Sequence, residues 1–141
     1  MQQKSAREIL GEIKRESRSI EQKKEQIQSL HDKMTSISSQ PDKVSVRGGG
    51  VSDKIGQLSV ECVALEEELR CQILKMELKK NRIIKLINGL EKEEYAELLY
   101  RVYVKQAKVF LAADAMGYSE DWGKHAHRKA IEAFEKKYCE K

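Results

Sequence analysis

Proline occurs once in this chain of 141 residues, glycine eight times, and aromatic residues make up only 6%. A loop-rich all-β architecture needs more turn formers than that, so strands and hairpins are not expected. Long apolar runs are also missing. The longest is Val109 to Ala113, far short of the roughly 20 residues that cross a bilayer as a helix. The N-terminal stretch MQQKSAREIL is charged and lacks the apolar core of a secretion signal. A soluble chain working in the cytoplasm, away from membranes, is the expectation. Three cysteines, an odd number, do not make a disulfide framework and are read as reduced thiols. Cys62 and Cys71 are nine residues apart, which places them about 180° apart on one helix. No nucleophile elbow, HExxH, CxxC pair or Walker motif is present. Gly48-Gly49-Gly50 is not followed by the Gly-Lys-Ser/Thr that a phosphate loop requires. An enzyme and a cofactor are therefore not expected.

What is abundant is charge, at 35% of residues, with mean hydropathy −0.66. Such a chain suits long helices with narrow apolar stripes. The net charge is only +4, and its distribution is more telling than its size. Glu91, Glu93, Glu94 and Glu97 oppose only Lys92, whereas Arg101 to Lys129 holds six basic residues against three acidic. Local charge of this kind can direct binding where the total does not.

The apolar pattern divides the chain. Ile13, Ile20, Ile27 and Met34 are seven apart, and Ile9, Leu30 and Ile37 fill the second seam position of the same heptads. Glu16 and Lys23 interrupt that seam. A long helix over about residues 2–37 follows. Residues 38–52, with Pro41 and the three glycines, read as a flexible connector. Ser52-Asp53 reads as the next helix start. A second heptad array then carries Ile55, Cys62, Leu69, Met76, Ile83 and Leu90, with Leu58, Leu65 and Leu86 beside them and Gln72 and Lys79 as polar exceptions. Over residues 53–87 this helix is about 50 Å long. Neither helix can bury its stripe alone. They fold back on each other across the connector, or they pair with another chain as a homo-oligomer.

Asn88-Gly89 closes the array. A helix over Glu91–Val104, a break at Lys105-Gln106, and a short helix over Ala107–Met116 follow. Gly117 is placed to end the short helix. Ser119 is placed to cap the last, with Glu120 and Asp121 in its first turn, where they complement the helix dipole. The fold class expected is all-α: a long antiparallel, coiled-coil-like helical hairpin over residues 1–89, then a helix-turn-helix over 90–141.

The residues of the last third sharpen this outline. Leu98-Leu99-Tyr100-Arg101-Val102-Tyr103-Val104, then Ala113, Met116-Gly117-Tyr118-Ser119, Trp122, His127 and Ala130-Ile131, resemble the helix-turn-helix of sigma factor region 4. In order they are more similar still to the ArpU/RinA-like phage and prophage transcriptional regulators. The resemblance covers about residues 84–135. It implies a DNA-binding activator of phage late or packaging genes, working on double-stranded DNA in a bacterial host cell, with RNA polymerase as a further partner.

In a helix-turn-helix the start of the second helix enters the major groove. Its outward residues would be Glu120, Asp121, Lys124, His125 and Arg128. Arg128 and Lys124 share a face and suit guanine or phosphate, and Glu120 or Asp121 can accept from cytosine. Ser119 and the amides after it can hold a phosphate, with Lys105 and Lys108 reaching the backbone from the preceding helix. His125 and His127 point about 200° apart and do not converge on a metal ion. His127 and Trp122 are expected to pack internally. Three positions depart from the family pattern. Gly123 stands where a valine is usual, Ala112 where isoleucine is, and Ala126 where leucine is. Their small volume is expected to weaken packing by several kcal/mol unless Phe110 or Leu111 turns inward. The competing reading is an adaptor or inhibitor that works through its coiled coil without binding DNA.

Overall fold

The computed structural model describes residues 4–38 and 48–139. The described residues are all-helical and contain no strand. In chain order the helices are α1 (Ala6–Ser38), α2 (Gly48–Asn88), α3 (Glu93–Leu99), α4 (Val109–Ala115) and α5 (Glu120–Phe134). Wider π-helical turns extend α3 over Tyr100–Val104 and α5 over Glu135–Cys139. Among the described residues, no helix is long and apolar enough to cross a membrane.

Most of the expected connector, residues 39–47, lies outside the described residues. Its C-terminal part differs from expectation. The helix does not wait for Ser52-Asp53 but begins at Gly48 and runs through all three glycines. Each glycine costs about 1 kcal/mol relative to alanine. Adding residues to an existing helix nevertheless avoids the cost of a new nucleus, and no proline lies between Gly48 and Asp53.

The residues form two compact units. One comprises 17–75, and the other comprises 1–16 together with 76–141. In the first, α1 and α2 are joined by Gln72 Nε2 donating to Ser19 Oγ at 2.6 Å, the Lys23–Glu68 ion pair at 3.1 Å, and Ser59 against Met34 Sδ at 3.4 Å. Partners descend along α1 as they ascend along α2, so this stretch is antiparallel. Ile20 and Cys62 are buried on the facing sides.

The second unit holds the main core. Ala6, Leu10 and Ile13 of α1 meet Ile83 and Ile87 of α2, Leu90, Leu99 and Val104, and Ala130, Ile131 and Phe134 of α5. Polar contacts hold the chain ends onto this core. The Ala6 N–H donates to Glu135 Oε2 at 2.6 Å, and the Tyr138 hydroxyl donates to the Leu86 carbonyl at 2.6 Å. Lys79 of α2 pairs with Glu16 of α1 at 3.0 Å. The polar interruptions of the two seams thus have opposite-sign or hydrogen-bonding partners. Gly89 lies so close to the Tyr138 hydroxyl that a side chain there would collide with it.

Candidate nucleic-acid interface

The α4–turn–α5 segment is fixed by backbone chemistry at both ends of its turn. Met116 caps α4, and Gly117 follows at φ +85°, a conformation that costs other residues more than glycine. The Tyr118 N–H donates to the Ala113 carbonyl at 2.9 Å and the Gly117 N–H to that of Asp114 at 3.0 Å. Together these two bonds form the Schellman closure. Two residues on, Ser119 has extended backbone and its Oγ accepts from the Trp122 N–H at 3.1 Å. Such a cap contributes about 1 kcal/mol. Tyr118 stacks on Trp122 with ring centroids 3.8 Å apart, and Trp122 packs onto Leu98, Ala112 and Ala126.

The inner face of α5 is made of small residues. Gly123 and Ala126 are buried, as are Ala112 and Ala113 of α4. A Cβ built on Gly123 would lie 2.8 Å from the Ala113 Cβ and 3.5 Å from Val109. The small residue at Gly123 therefore leaves no hole to fill, because α4 and α5 lie too close together there for a larger side chain. The expected inward turn of Phe110 or Leu111 does not occur. They remain 46% and 52% exposed, and at Gly123 the space is already taken by the Ala113 Cβ and Val109.

The outer face carries the residues singled out from the sequence. Ser119, Glu120, Asp121, Lys124, His125 and Arg128 are all exposed. Lys124 and Arg128 sit one turn apart on the same side of α5. Arg128 Nη2 lies 3.3 Å from His125 Nδ1, joining these two side chains. Glu120 and Asp121 occupy the first turn of α5. Lys108 is also exposed, but stands apart at the residue before α4. It shares a groove of about 330 Å³ with Lys14 of α1, Tyr103 and Gln106. Lys14 had no signal in the sequence beyond a polar heptad position. Its placement beside Lys108 depends on α1 joining this unit, which heptad periodicity does not encode.

Behind this face, His127 packs internally as expected. Its Nε2 shares a hydrogen bond of 2.8 Å with the Tyr103 hydroxyl, and the two rings stack with centroids 5.7 Å apart. Burial, and then the Arg7 guanidinium, push the imidazole below its ordinary 6.5. The folded state thus favours the neutral ring, and the unfolded chain takes up a proton first as pH falls. This contribution to stability is complete above about pH 6.5 and is lost as pH drops through the lowered folded value. The urea midpoint is expected to fall from about pH 7.5 to about pH 5.5, with a shallower slope in His127→Phe. An unchanged slope would show that His127 does not carry the effect.

A family model described as a protein of unknown function, DUF1492, matches residues 33–135. The chain belongs to the DUF1492 family. The DUF1492 match takes in α2 to α5 whole, and with them the turn and the exposed face of α5. It leaves out α1 up to residue 32, and with it Arg7, Leu10 and Lys14. No curated protein and no solved structure matches the chain.

Proposed function

We propose that this DUF1492 protein is a sequence-specific DNA-binding transcriptional regulator, a binding protein rather than an enzyme. In this reading α4 and α5 are a helix-turn-helix of the sigma region 4 type, and α1 with α2 is the long helical hairpin. The observation that carries it is the two-sidedness of α5. Its glycine–alanine face is buried on α4, while Lys124, His125 and Arg128 project from a capped start. Arg128 and Lys124 read base edges or phosphate, with Glu120 and Asp121 facing the same groove. Ser119, Lys108 and Lys14 hold the backbone. The resemblance to ArpU/RinA-like regulators supports an activator of phage or prophage late genes, acting in the bacterial cytoplasm with RNA polymerase as partner.

The test is capture of source-genome fragments by the full chain at low and moderate salt, against a Lys124→Ala/Arg128→Ala variant. Enrichment of one discrete site is expected, falling steeply with salt as displaced counterions require, and lost in the double variant. Each lost base contact is expected to cost about 1–3 kcal/mol. No capture at either salt overturns the reading.

One observation favours a second reading, an adaptor working through protein contacts. Val60, Val63 and Leu74 of α2 are 58–71% exposed, an apolar edge suited to a second copy of the chain or to another helix. Sedimentation equilibrium of the full chain separates a monomer from a homo-oligomer formed there.

A further inference from the structure

His31, Cys62 and Glu66 lie in the unit formed by residues 17–75, whereas the face assigned to DNA belongs to the other unit. Cys62 and Glu66 are one turn apart on α2 and share a side of it. His31 reaches them from the antiparallel α1. The three candidate ligand atoms form a nearly equilateral triangle. Cys62 Sγ is 3.4 Å from His31 Nε2 and 3.3 Å from Glu66 Oε1, and His31 Nε2 is 3.4 Å from Glu66 Oε1. Ligands about 2.0–2.3 Å from a tetrahedral zinc ion are separated from one another by about 3.3–3.6 Å. The triangle therefore already has the dimensions of one face of that tetrahedron. We propose that His31, Cys62 and Glu66 form a zinc site that staples the two long helices together.

The donor set suits this ion. Thiolate, imidazole and carboxylate are all zinc ligands, whereas magnesium and calcium take oxygen almost alone. A Cys62 thiolate and the Glu66 carboxylate supply two negative charges, which a divalent cation neutralises. Without an ion, the Cys62 thiol donates to Glu66 Oε1. Binding releases that proton to solvent as the Zn–S bond forms. His31 is exposed and Glu66 half-buried, so water can take the fourth position. The ligands are 31 residues apart in sequence, and the ion would close the chain between them. Such a link stabilises the folded pair by mass action.

The register around the triangle is held independently of any ion. Ser59 contacts Met34 on one side, and Lys23 pairs with Glu68 on the other. The ligands are thus positioned before the metal arrives, and little ordering remains to be done on binding.

The experiment titrates Co²⁺, then Zn²⁺, into the reduced, metal-free, tag-free full chain. One equivalent of Co²⁺ is expected to produce a thiolate-to-cobalt charge-transfer band with the visible absorption of a tetrahedral ion, and Zn²⁺ to abolish both. Zinc is also expected to raise the melting temperature. Cys62→Ser and His31→Ala should each lose the band and the thermal shift. Their affinity should fall by more than the roughly 10–100-fold cost of losing an outer-shell partner. Cys71→Ser and Cys139→Ser should retain both. His31 is exposed, so His31→Ala keeps the test decisive if the buried Cys62→Ser variant folds poorly. Absence of the band in the wild-type chain overturns the proposal, as does a band that survives His31→Ala.

Discussion

Cut back to residues 90–141, the chain is expected to lose its cooperative thermal transition. That fragment keeps α3, α4 and α5 but discards Leu10, Ile13, Ile83 and Ile87 from the cluster around Phe134. All four are buried to within 2% of complete. Full burial of such side chains contributes about 1.5–3 kcal/mol each, so roughly 6–12 kcal/mol leaves with them. Whole domains are stable by only about 5–15 kcal/mol. The Glu135 carboxylate also loses the Ala6 N–H, and the Tyr138 hydroxyl loses the Leu86 carbonyl. Circular dichroism melts of the fragment and the full chain make the comparison. A sharp transition in the fragment near that of the full chain would show that the long helices contribute little to this core.

Gly123→Val is expected to lower stability, although valine is usual at this place in the regulators that the sequence resembles. The Ala113 Cβ is fixed to the backbone of α4 and cannot swing away from a new side chain as a lysine tip could. With 2.8 Å available before the two further methyls are added, α4 and α5 must separate. The tight contacts of Ala112 and Ala126 would then loosen as well. Overpacking of this kind costs about 1–3 kcal/mol. The upper end, roughly 10 °C in melting temperature, is expected here because backbone has to move. The gain in helix propensity over glycine is only a few tenths of a kcal/mol. Ala113→Gly in the same chain should recover part of the loss, since the two residues share one contact. A Gly123→Val variant melting at or above the wild type would mean that the helices can part without cost.

The helices themselves were largely legible in the sequence. Ile13, Ile20, Cys62 and Ile83 were expected at seam positions and are buried. Gly117 and Ser119 punctuate the turn as their backbone and hydrogen-bonding preferences dictate. Periodicity reports the face of a helix, however, and not which other helix covers it. That is why the packing of Ala6, Leu10 and Ile13 onto α5 had no sequence signal. It is also why the seam breaks at Glu16 and Lys79 looked like defects until the structure paired them. Small residues at Ala112, Gly123 and Ala126 read as lost volume. Volume is filled either by larger side chains or by closer backbones, and the distance between helices is not written in composition. The candidate outer face of α5 followed from the capped start and the 3.6-residue repeat. Lys14 and the His31–Cys62–Glu66 triangle needed two separate helices to be brought together.

The hydrogen bond from Ala6 to Glu135 spans 129 positions in the chain. Leu10 and Ile13 are made long before their partners in α5. At roughly 5–20 residues per second, the interval is on the order of 10 s. Throughout that time the first turns of α1 carry apolar side chains whose final partners on α5 do not yet exist. The core around Phe134 therefore closes only after α5 has been made, and until then the first turns of α1 depend on their charged neighbours for solubility.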